Sequence, residues 1–246
     1  KVTREDLENA VVDEFGVKYS KDWKRLLKAP SGLNGEYSIR KGVKVIGNSA
    51  FLFCSSLTSI NIPNSVTNIG YEAFCLCRSL TNINIPNGVT NIGYNAFSDC
   101  RSLTNINIPN SVTNIGDAAF YGCSSLTNIN IPNSVKYIGD IAFSGCNSLT
   151  KIKIPSSVVD MNGYTFLGWD GDLHNESKAF IYEHQVLFNK DKTTLIAYRS
   201  KEKNYIIPNS VTNIGNAAFS GCSSLTNINI PNSVTNIGNE AFEYCI

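Results

Sequence analysis

Along most of the chain the apolar positions return in the same order every 23 residues. Pro63, Pro86, Pro109, Pro132 and Pro155 keep that step, as do Pro208 and Pro231. Ala-Phe pairs ending at Phe51, Phe74, Phe97, Phe120, Phe143, Phe219 and Phe242 keep it too, and Phe166 falls on it behind Thr165. A fixed period of this length marks a solenoid or a propeller. One unit cannot bury its apolar side alone, and stacked neighbours bury it together.

Within one unit, Leu57, Ile60 and Ile62 point one way and Asn61 the other, the alternation of a short strand. Pro63 ends that strand, because it has no N–H for a ladder. Val66 and Ile69 begin a second inward-facing stretch, and Gly70 stands at a turn where a Cβ would obstruct. Residues 71–77 predict two short helical or 3₁₀ turns that drop Ala73, Phe74 and Cys77 inward. At about 4.8 Å per parallel strand, eight stacked copies make a rod or shallow arc about 38 Å long.

The unit over 103–123 reads L-T-N-I-N-I-P-N-S-V-T-N-I-G-D-A-A-F-Y-G-C. It resembles the BspA-like, or Treponema pallidum-type, leucine-rich repeats, and the likeness covers residues 38–169 and 205–246. The first unit departs from the pattern with Arg40 in place of proline. The sixth has Asn162 for glycine, Thr165 for alanine and Trp169 for cysteine. The resemblance implies an α/β repeat solenoid, a leucine-rich repeat array with short parallel strands. It also implies a non-catalytic, cell-surface or secreted protein that binds a protein ligand, in the manner of an adhesin. A structural or self-assembling scaffold and an intracellular interaction protein are the alternative readings.

Two segments interrupt the period and match each other. Residues 10–27 and 179–196 align without a gap, sharing Ala10/Ala179, Glu14/Glu183, Val17/Val186, Lys21/Lys190, Asp22/Asp191 and Leu26/Leu195. Each predicts a β-hairpin, with 20–23 or 189–192 at its turn. Ahead of the first copy, Thr3 and Asp6 are spaced as a capping box for a short helix that caps the array. The division that follows is an N-terminal cap with hairpin at 1–37, repeats at 38–169, a hairpin insertion at 170–204 and further repeats at 205–246. Because the 23-residue register resumes after the insertion, its removal is expected to let the Pro208 repeat stack directly on the Pro155 repeat.

Composition narrows the chemistry. A net charge of +1 over 246 residues leaves no basic footprint for nucleic acid. Of the 41 charges, 17 fall in residues 1–44 and 12 in 169–205, so the repeats are nearly uncharged. No apolar run reaches the length of a membrane span. Lys1 stands where a Met would start a chain, and no signal peptide opens it, which points to processing or trimming. Two histidines and no nucleotide-binding or hydrolase motif give no basis for a cofactor or catalysis.

The cysteines at one-repeat spacing, Cys54 to Cys245, read as a ladder of buried free thiols whose Cβ vectors run parallel. Cys75 lies outside the ladder and reads as exposed. Asn107 and Asn130 belong to an outward column of amides that Lys153 breaks. Such a column can hydrogen-bond along itself, or serve as a flat polar face for contact. Trp169, His174, Tyr182, His184 and Tyr198 form the other candidate contact group, in or beside the insertion. Asn175-Glu176-Ser177 is a glycosylation sequon. Val234, Ile237 and Phe242 of the final repeat would leave a bare stacking face, suited to further repeats or to end-to-end self-association.

Overall fold

The computed structural model describes residues 2–245. Each coil lays down two short strands and a turn segment, and coils stack with equivalent residues side by side. One parallel sheet runs Asn34–Ser38, Ser56–Asn61, Asn82–Asn84, Asn105–Asn107. A second ribbon carries the Asn-Ile strands, with Ile115 opposite Ile92 and Ile138 opposite Ile115. The 23-residue period of the sequence is therefore a set of columns in space. The apolar side chains assigned inward, from Leu57 through Ile69 to Phe74 and Cys77, are all buried. Gly70 is tight as expected, since a Cβ there would lie 2.5 Å from the Asn48 backbone nitrogen.

The turn segments differ from the helical expectation. Alternate N–H groups bond to the next coil, Phe51 N–H to Ala73 O at 2.8 Å and Phe74 N–H to Ala96 O at 2.9 Å, while those between bond three residues back in their own coil, as Ala73 N–H does to Gly70 O and Cys77 N–H to Phe74 O. This ladder uses two left-handed residues four positions apart in each coil but the sixth, such as Glu72 and Leu76, or Ala118 and Gly122. Helix survives only at Arg4–Glu8 and as the 3₁₀ turn Gly163–Phe166 among the described residues. The former has the predicted capping box on Thr3 and Asp6, and Arg25 holds Asp6 by an ion pair at 2.8 Å.

Three side-chain columns bind coil to coil. The phenylalanine rings stack within 9° of parallel, at 5.1 Å for Phe51–Phe74, widening stepwise to 6.0 Å for Phe120–Phe143. Each ladder thiol donates to a carbonyl of the coil before it: Cys77 Sγ to Phe51 O at 3.2 Å, Cys123 Sγ to Phe97 O at 3.1 Å. All eight cysteines are free thiols. The serine after Pro-Asn also donates backward, Ser111 Oγ to Val89 O and Ser134 Oγ to Val112 O, each at 2.6 Å.

The matching segments are three-stranded meanders. Val11–Val12, Lys18–Tyr19 and Arg25–Lys28 pair antiparallel, and so do Phe180–Glu183, Val186–Asn189 and Thr194–Tyr198. The last strand of each then pairs parallel with an Asn-Ile-type strand of the following array, Leu26 opposite Ile46 and Leu195 opposite Ile214. Both meanders thus begin an array by the same device.

The second meander also closes the array before it. Leu187, Ile196 and Ala197 belong to the apolar core of the first array, while Val186, Phe188, Leu195 and Tyr198 belong to that of the second. The first meander has Lys18 and Lys28 in the positions of Leu187 and Ala197, and the helix packs against its Arg25–Lys28 strand instead. Two expectations change accordingly. The strand Asp172–Asn175 pairs parallel with Lys151–Ile154, so it continues the stack although it lies beyond the boundary drawn at residue 170. Removal of 170–203 would strip Leu187 and Ile196 from the first core, so direct stacking of the flanking repeats is not a simple outcome.

Candidate functional site

In the outward column, the parallel pairing of Lys151–Ile154 with Asp172–Asn175 sets Lys153 beside His174 and Lys151 beside Asp172. Asn107, Asn130, Lys153 and His174 are all exposed. Glu176 joins the charged end, with its Oε2 3.0 Å from Lys153 Nζ and Oε1 3.6 Å from His174 Nε2. The strand ladder is interrupted at 128–130, between Asn107 and this end. A groove of about 490 Å³ lies there, lined by Asn110, Asn130, Pro132, Ser134 and Lys153 among others. No side-chain bond joins Asn107 to Asn130 among the described residues. Amide-to-amide bonds form in neighbouring columns of the second array, Asn227 Nδ2 to Asn204 Oδ1 at 2.8 Å and Asn236 to Asn213.

The contact group proposed around the insertion does not hold together. Trp169 is 4% exposed, and its Nε1–H donates to Leu149 O at 2.7 Å. It thus takes the place of the missing cysteine as a buried donor to an earlier coil. Tyr198 is 5% exposed and stacks on Phe219 at 5.2 Å, where it serves as the first ring of the second array's aromatic column. Both residues are core: Trp169 through the stacking of its own coil, and Tyr198 because the meander is packed on two faces. Tyr182 is half-buried. His184 is exposed at a hairpin tip, where it and Gln185 are both left-handed. Arg199 pins the junction, donating to Trp169 O at 3.1 Å and Gly171 O at 2.8 Å with its guanidinium over the Trp169 ring. Burial lowers its pKa from the usual guanidinium value.

The sequon serves as a turn: Asn175 Nδ2 donates to Ser177 O and Phe180 O, and Ser177 is buried. Cys75 is half-buried, and burial raises its pKa. No group of three or more His, Cys, Asp or Glu is placed to hold a metal among the described residues, nor is any helix there long and apolar enough to cross a membrane.

The sequence reading passed over the aromatic side chains on the turn edge of the first four coils. Phe53, Tyr71, Tyr94 and Tyr121 are all exposed. Their signal is a departure from the chain's own consensus at outward positions, which periodicity analysis discards as noise.

This architecture defines a leucine-rich-repeat solenoid, interrupted by a meander that serves two arrays. Residues 44–170 and 196–246 match the BspA type leucine rich repeat region in six copies, and the chain belongs to that family. The family is typically non-catalytic. A leucine rich cell surface protein of Faecalibacterium prausnitzii is similar over 86% of this chain and 52% of its own, at 35% identity and a TM-score of 0.55. A leucine-rich repeat protein of Eubacterium ventriosum shares the fold over 95% of this chain and 62% of its own, at 24% identity and a TM-score of 0.66. The T. pallidum leucine-rich repeat protein shares it over 97% and 86%, at 24% identity and a TM-score of 0.53. The chain therefore spans about half the length of the first of these and under two thirds of the second. No curated protein matches it.

Proposed function

We propose that the chain is a protein-binding array displayed at a cell surface, with the Asn107–Asn130–Lys153–His174 column as its contact ribbon. One observation carries this reading. The column faces solvent through successive coils and changes from amide to charged side chains at Lys153 and His174, where the fold asks only for something polar. Family membership supports a binding scaffold, and the cell-surface relative supports the location. An adhesin role, with a host or cell-surface protein as ligand, is the finer form of the proposal. Its test is binding of the purified chain to a panel of immobilised extracellular-matrix proteins and to whole cells. Lys153→Glu with His174→Glu should cut binding at least tenfold, with only a small fall in the denaturation midpoint as the exposed contacts to Glu176 are lost. Equal binding by that variant would remove the column from the site, and no binding to any member of the panel would defeat the adhesin reading.

A further inference from the structure

The near-identical coils act as controls for one another. At the position after the turn glycine, Asn48, Asp117 and Asn216 each serve the fold. Asn48 Oδ1 accepts the Tyr71 N–H at 3.2 Å, Asp117 Oδ1 accepts the Asp140 N–H at 3.0 Å, and Asn216 Oδ1 accepts the Asn239 N–H at 2.9 Å. Tyr71 and Tyr94 occupy the same position and have no acceptor at that reach. The N–H groups of Tyr94 and Asp117 accordingly find no protein partner among the described residues. Two adjacent coils thus forgo a bond that their neighbours make, and put in its place rings that are 57% and 49% exposed.

The rings are close together. A Cβ on Gly93 would lie 2.8 Å from Tyr71 Cδ1, so the Tyr71 ring reaches across to the residue beside Tyr94. Exposed aromatics that the fold does not need are what interfaces use as anchors. Their surroundings are acidic. Glu72 follows Tyr71, with its Oε2 touched by the Ser49 hydroxyl at 2.9 Å. Asp117 lies one coil beyond Tyr94. Its Oδ1 takes the Tyr137 hydroxyl and the Asp140 N–H, leaving Oδ2. No Lys or Arg occupies these two columns from residue 48 to 141. Lys28, at the near end, is held by Ser49 O at 2.8 Å. Tyrosine faces beside carboxylates attract a cation through the ring quadrupole and by charge.

We propose that Tyr71 and Tyr94, with Glu72 and Asp117 beside them, bind an extended Arg- or Lys-bearing segment of a partner protein. This rests on reading the chain as a protein-binding array, but it uses a different ribbon from the Asn107–His174 column. The test is fluorescence anisotropy with a labelled peptide of alternating Arg and Gly, against a peptide of alternating Glu and Gly. The Arg peptide should bind at least tenfold more tightly, and less so at high salt. Tyr71→Asn with Tyr94→Asn should lose at least tenfold in affinity while its denaturation midpoint holds or rises, because the missing acceptors are restored. Tyr71→Phe with Tyr94→Phe should bind as the parent does. Asp117→Asn, which keeps the acceptor and removes the charge, should weaken binding. Equal affinity for the two peptides, or an unchanged affinity in the Asn pair, overturns the proposal. If the Asn pair proves unstable, loss of binding in the Phe pair or no change in Asp117→Asn overturns it instead. Lys153→Glu with His174→Glu should leave this peptide bound, which separates failure here from failure of the column.

Discussion

Gly88 is the position at which one coil lacks the serine clip, and replacing it should strengthen the array. Ser111, Ser134, Ser157 and Ser233 each donate to a valine carbonyl of the coil before, at 2.6 to 2.8 Å. Gly88 stands at the equivalent place, so Val66 O goes without that donor. A Cβ on Gly88 would lie 3.3 Å from Val66 O, and its nearest neighbour would be Thr67 Cγ2 at 3.1 Å. Thr67 is exposed and its methyl can yield by a few tenths of an ångström. The regained hydrogen bond contributes about 1 kcal/mol. Loss of glycine's freedom in the unfolded chain adds roughly 0.5 kcal/mol. Gly88→Ser should therefore stabilise by about 1–1.5 kcal/mol, which for a chain of this length raises Tm by about 2–5 °C. Urea unfolding followed by circular dichroism measures it, with Ser111→Gly as the reciprocal variant one coil on. The reasoning fails if Gly88→Ser leaves the midpoint unchanged or lowers it while Ser111→Gly behaves as a lost clip.

Phe120→Ala, in the middle of the ring stack, should destabilise by about 3–5 kcal/mol, against about 0.5 or less for the exposed Asn107→Ala, as read from chemical denaturation. Gly163→Ala should separate the transitions of the two arrays in calorimetry, because its Cβ would lie 2.1 Å from Asn216 O at their junction. A thiol reagent should label at most Cys75, Cys222 and Cys245 in the native protein and all eight thiols after denaturation, counted by mass. Labelling should be slow at neutral pH, since burial pushes Cys222 up to about 12 and raises Cys75 as well. Asp6 is held at about 2 by the Thr3 backbone N–H and by Arg25, below its ordinary 3.8. Its contribution is therefore complete above about pH 4 and lost as pH falls through 2. Protection factors at residues 3–9, taken against the intrinsic exchange rate at each pH, should fall across that window while the core stays protected.

The periodic part of this fold was legible because each column is fixed by one local requirement repeated many times. Leu57, Phe74 and Cys77 were read as inward and are buried. The turns were misjudged because a segment such as 71–77 looks helical when all its N–H groups are assumed to bond locally, and every second one bonds to the next coil instead. Tyr198 was misplaced for a related reason. An aromatic in an insertion reads as exposed unless the insertion is known to be packed on both faces, and only the alternation of Val186, Leu187 and Phe188 between two cores carries that information. The amide column was legible in position. The charged end beside it was not, since His174 reaches register with Lys153 through a coil two residues shorter than the rest.

The two-faced meander also sets how far damage can travel. In a stacked array each coil is held only by its neighbours, so unfolding can run along it from an outer coil like a zipper. Opening of the second array that loses Phe242, then Phe219, arrives at Tyr198 and Phe188. At that point the same sheet is still gripped from behind, through Leu187 and Ile196, by a core that has lost nothing. The meander thus works as a firebreak: the second array can open and re-close on it as a template, while the first keeps its shape.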